Sequence, residues 1–88
     1  MAGASRIVID SAGGIILGPG SQSVFINGLS ASVLGDAVEG HGNGSHSSPN
    51  VVTASSSVFA DGQGMVGETS VTSCGKSPTG SGDVFIGD

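Results

Sequence analysis

The chain has 88 residues, 17 of them glycine, and sets two basic side chains against seven acidic ones for a net charge of -5. That length holds one small domain, expected over residues 1–88, and the acidic balance repels phosphate and argues against a nucleic-acid partner. With 36% hydrophobic residues and three phenylalanines as the only aromatics, the core is small, so a staple or a partner surface is expected to support it.

Near the start, Arg6 precedes the apolar Ile7-Val8-Ile9, but Asp10 interrupts the run, so no signal peptide is read there. No apolar stretch approaches the roughly eighteen residues of a membrane-spanning helix. The β-branched pieces at 7–9, 15–17, 51–53 and 71–72 are short, are bounded by Gly, Ser or Pro49, and lack helical spacing. They predict an all-β chain of short strands.

Glycine and serine fill over a third of the sequence, yet a repeat argues against a disordered linker. Ser21-Gln22-Ser23-Val24-Phe25-Ile26-Asn27-Gly28 recurs as Ser55-Ser56-Ser57-Val58-Phe59-Ala60-Asp61-Gly62, and in shortened form from Ser81 through Val84-Phe85-Ile86 to Asp88. Asn-Gly and Asp-Gly are strong hairpin signals, because a type I′ turn needs positive φ at both central residues. Each of the first two copies is therefore predicted as a strand, a tight turn and a return strand, over 29–34 and 63–66. The third reaches the end of the sequence without a return strand after it. Three related units predict approximate threefold internal symmetry, which suits a single chain that closes the end of a trimer. Phe25, Phe59 and Phe85, with Val24, Val58 and Val84 beside them, are read as core or docking surface.

Between the first two copies lies Gly40-His41-Gly42-Asn43-Gly44-Ser45-His46, which holds both histidines of the chain, and the one cysteine, Cys74, sits in a later glycine-containing loop. A lone cysteine forms no internal disulfide. Imidazole and thiolate are the usual ligands of zinc and related metals, so His41, His46 and Cys74 are candidates for one shared site. The plain alternatives are solvated loop histidines and a small buried cysteine. Asp36, Glu39 and Glu68 are read as turn-forming or solvated. Three protein ligands plus water also describes a catalytic zinc, with Glu39 as base, which keeps a small zinc-dependent hydrolase as the alternative function. The tandem glycine-aspartate nonapeptides of a calcium-binding β-roll are missing.

Val24-Phe25-Ile26-Asn27-Gly28, Gly35-Asp36, the His41 and His46 loop, Thr72-Ser73-Cys74-Gly75 and the closing Asp83-Val84-Phe85-Ile86-Gly87 together resemble the PAAR domain, over about residues 10–88. The resemblance implies a cone-shaped all-β domain whose base, with the Val-Phe pairs as candidate contacts, caps a trimeric β-helical spike, one copy per trimer. It implies a metal-bound point, zinc or alternatively iron, that leads the spike transiently through a membrane. It also implies a structural role rather than an enzymatic one. The expected location is the spike tip of a contractile phage tail, or alternatively the cytoplasm followed by export on a type VI secretion spike. The chain departs from the family in three places, one being a second copy two residues shorter between Gly62 and Gly67. Leu29-Ser30-Ala31-Ser32-Val33 stands where the name motif is expected, and Ala12 stands where the family often places a histidine before paired glycines, leaving its three-histidine, one-cysteine site one ligand short.

Overall fold

A computed structural model describes residues 2–87; Asp88, the last residue of the third repeat, and Met1 lie outside the described residues. Among the described residues eight short strands are formed: β1 (Ala2–Gly3), β2 (Ile16–Gly18), β3 (Phe25–Ile26), β4 (Leu29–Ser30), β5 (Ala37–Val38), β6 (Phe59–Ala60), β7 (Gln63–Gly64) and β8 (Phe85–Ile86). Among the described residues the helical content is a single 3-10 turn, Gly44–His46. The body measures 32 × 24 × 22 Å, one long axis with two nearly equal cross-axes.

The hairpins form where the turn chemistry places them. Asn27 and Gly28 have φ of 54° and 84°, Asp61 and Gly62 have 53° and 79°, and these positive pairs are what the two-residue turns β3–β4 and β6–β7 require. The third unit does have a return strand, contrary to the sequence-based expectation. It comes from the other end of the chain, where β1 pairs with β8 in the same register, Phe85 opposite Gly3 and Ile86 opposite Ala2. Ile7-Val8-Ile9, expected as a strand piece, is instead a tight turn, with the Ile9 N–H donating to the Ile7 carbonyl at 2.8 Å and Val8 held at φ 75°.

The three units close into a ring through repeated backbone bonds. The N–H of Ser5 donates to the Val66 carbonyl, that of Val66 to Ser32, and that of Ser32 back to Ser5, each at 2.9 Å. Around this triangle, isolated bridges join Ala4 to Gly67, Arg6 to Ala31 and Val33 to Met65, one at each seam. The opening serines repeat the pattern: Ser21, Ser55 and Ser81, all buried, each accept the N–H groups two and three residues on with Oγ, at 2.9–3.2 Å. Each unit is then tied to a neighbour. Ser21 donates to Asp61 in the second turn at 2.7 Å, Ser55 donates to the Gly87 carbonyl at 2.8 Å, and Asn27 in the first turn donates to Asp83 at 3.0 Å. A fourth tier closes each exit from the ring. Asp36 Oδ2 accepts the Val33 N–H at 3.0 Å, Asp10 Oδ2 the Arg6 N–H at 2.8 Å, and Ser70 Oγ the Gly67 N–H at 3.1 Å.

Two apolar clusters fill the interior. The first joins Ile26, Ala60 and Ile86 from the three units with Ala4, Ala31, Val33 and Met65, and Val24, Val58 and Val84 pack half-buried against it. The second joins Ile16, Val38, Val51 and Val66, where β2 pairs with β5 and Val51 bridges Thr72. The histidine and cysteine loops leave from the β5 and Thr72 segments of this second cluster.

Candidate metal centre and docking face

His41 stands three residues past β5, and its loop is closed by backbone bonds. Its N–H donates to the His46 carbonyl at 2.8 Å, and the His46 N–H donates to the Asn43 carbonyl at 3.1 Å. The loop thus folds back so that both imidazoles meet, ring centroids 5.0 Å apart and tilted by 55°. Cys74 arrives on a turn in which the Gly75 N–H donates to the Thr72 carbonyl at 2.9 Å. The structure brings His41, His46 and Cys74 together with their donor atoms within 4.8 Å of one another, each half-buried. His46 Nδ1 lies 3.2 Å from His41 Nε2, and Cys74 Sγ lies 3.5 Å from the same nitrogen. Bonds of about 2.05 Å to nitrogen and 2.3 Å to sulfur at a tetrahedral angle set the donors about 3.3 Å (N to N) and 3.6 Å (N to S) apart. The two spacings from His41 Nε2 match those of such an ion.

The surroundings orient these donors. His41 Nδ1 lies 3.1 Å from the Glu39 carbonyl oxygen; that oxygen only accepts, so Nδ1 carries the hydrogen and the Nε2 lone pair faces the cluster. Thr72 Oγ1 accepts the Lys76 N–H at 3.1 Å, which leaves its own hydrogen for the Cys74 sulfur at 3.2 Å. Gly13 lies against the far donor: a Cβ there would stand 2.7 Å from His41 Nε2, so the position has no room for a side chain, and its φ of 87° favours glycine as well. Sequence reading had singled out the neighbouring Ala12, whose methyl is fully buried. Glu39, the base of the hydrolase alternative, touches the site through its carbonyl, and its carboxylate is not among the converging donors. A groove of about 310 Å³ lies elsewhere, between Thr53, Ser55, Met65, Ser70 and Ile86, and none of the three donors lines it.

The phenylalanines sit on the ring. Phe25, Phe59 and Phe85 are 58%, 57% and 49% exposed, while the next residue in each unit, Ile26, Ala60 or Ile86, points into the core. Of the two sequence readings of the set, core is excluded and an exposed face remains. Beside it, the Asp61 carboxyl is held below the usual carboxylate range by hydrogen bonds from Ser23, Ser21 and the Gln22 N–H, and that of Asp83 by bonds from Ser81 and Asn27.

The sequence matches the PAAR motif family over residues 9–79, most of the chain and both loops that carry the three donors. The chain belongs to the PAAR-motif family. No curated protein gives a significant match. The ring of short hairpins is the small all-β PAAR fold, and the family's part is a structural one at the spike tip of contractile injection systems, in association with a spike protein. Metal binding is a property of the motif, and in this PAAR chain His41, His46 and Cys74 lie close together as candidate ligands.

Proposed function

We propose that this PAAR chain, as one domain and in one copy, caps and sharpens a trimeric β-helical spike that pierces a membrane, and that His41, His46 and Cys74 hold a zinc ion, with iron as second choice. The observation that carries the capping role is the closed ring of three equivalent units, each with an exposed phenylalanine, Phe25, Phe59 or Phe85. A single chain with three like faces matches a threefold end without leaving two of three partner surfaces unfilled. Aromatic side chains, phenylalanine among them, are enriched at the cores of interfaces, and no lysine stands in the three Val-Phe units. Phage tail spike is the assigned setting, with a type VI spike using the same contacts.

The ion's part is to fasten two loops of mobile composition, residues 40–49 and 75–82, into a point that transmits force. When bound, the metal supplies cross-linking and no reaction is required of it. The test is the mass of the complex with a trimeric spike by light scattering, run alongside metal analysis of protein purified without added metal. One chain per three spike chains and one zinc per chain are expected, and Cys74→Ser should lose most of the metal. Three chains per trimer would end the capping model.

A further inference from the structure

We infer that the ion held by His41, His46 and Cys74 keeps one coordination position for a small donor from solution, in place of a fourth protein side chain. The inference rests on the metal-binding reading above. Both histidines and the one cysteine of the chain are already in the cluster, and among the described residues no carboxylate joins it. Two polar groups beside the donors already have partners. Glu39 offers its carbonyl to His41 Nδ1, and the Thr72 hydroxyl is shared between the Lys76 N–H and the Cys74 sulfur. The segment facing His41 Nε2 brings no donor either, being the bare α-carbon of Gly13 beside the buried methyl of Ala12. All three ligating residues are half-buried and Gly13 is exposed, so solvent reaches the cluster.

The chemistry then sets the ligand class. A divalent ion with one thiolate and two neutral imidazoles carries a net single positive charge, and a borderline-soft centre of that kind takes water and exchanges it for monodentate anions or nitrogen donors.

The test loads the full chain with one equivalent of Co²⁺, whose thiolate charge-transfer absorption reports the cysteine bond and whose visible d–d bands report the fourth ligand. Sodium azide is then titrated in. The expected result is a charge-transfer band in the wild type, absent in Cys74→Ser, together with a d–d shift that saturates at one azide per cobalt. A charge-transfer band with d–d absorption indifferent to azide would overturn the open position while leaving the metal site standing. No charge-transfer band at all would overturn the metal site itself.

Discussion

Replacing Asp36 with alanine tests the tier of hydrogen bonds that closes each unit onto the ring. Asp36 is only 2% exposed, and its carboxylate accepts three bonds, from Val33 N–H at 3.0 Å, Ser32 Oγ at 2.9 Å and Gly20 N–H at 3.1 Å. Gly20 is half-exposed and its N–H can turn to water, but Ser32 and Val33 are buried and would be left with unsatisfied donors. At about 1–3 kcal/mol for each orphaned donor, the loss is about 4 kcal/mol once some of the bonding to the charged acceptor is counted. A chain of this length is stable by roughly 4–13 kcal/mol, so the variant should lose a large part of its margin and melt about 15–30 °C lower. With no tryptophan or tyrosine in the sequence, far-UV circular dichroism during thermal and urea unfolding is the assay. The same position in the second unit is Ser70, which caps the Gly67 N–H with one hydroxyl, so Ser70→Ala should cost about 1 kcal/mol. An Asp36→Ala loss below about 1 kcal/mol, or one no larger than that of Ser70→Ala, would refute the assignment of these bonds as structural pillars.

Three further outcomes are expected. Phe59→Ala, at a 57% exposed site, should change stability by less than about 1 kcal/mol yet weaken spike capping in a pull-down titration, whereas Ile26→Ala in the core should cost about 2–5 kcal/mol. For Asp10, burial pushes the carboxyl up, but the hydrogen bonds from Arg6 and Thr79 outweigh it and hold it low, as hydrogen bonds hold Asp61 and Asp83. Folded values below the unfolded ones mean stability that is present above about pH 4 and lost as pH falls through the lowered carboxylate range, so urea midpoints should drop below pH 4, and less so in Asp10→Asn. Val8→Gly removes a β-branched residue from φ 75° and should raise stability by about 0.5–1 kcal/mol after glycine's own entropic cost; an unchanged or lower melting point would show the turn to be unstrained.

The hairpins were legible because their signals are local: Asn27-Gly28 and Asp61-Gly62 permit little besides the turns they form. The strand that completes the third unit was not, since nothing near Phe85 in sequence announces a partner at Gly3. In Val24-Phe25-Ile26 every residue is apolar, so alternation could not say which one faces inward, and phenylalanine proved to be the outward one. Asp36 was read as turn-forming or solvated; it does close a turn with Val33 but is buried rather than solvated, because its carboxylate also takes the N–H of Gly20 from an earlier segment. The equivalence of Asp10, Asp36 and Ser70 was missed because residue type and spacing both vary: Asp36 and Ser70 lie three residues past the N–H they accept, and Asp10 lies four past its own. The donor triad was legible in residue type, while the proximity of Gly13 to His41 depends on a fold-level contact.

The pairing of β1 with β8 also dictates when the molecule can assemble. Ala2 leaves the ribosome well before Ile86 and waits for it, so two hairpins can form on a nascent chain but the ring cannot shut until the third Val-Phe unit has emerged. Contacts of such long sequence separation are slow to form because the loop between them must be closed first. Until then the inner faces of Ile26 and Ala60 stay open to other chains, and the first Val-Phe units are the segments a chaperone, or a misplaced neighbour, would meet.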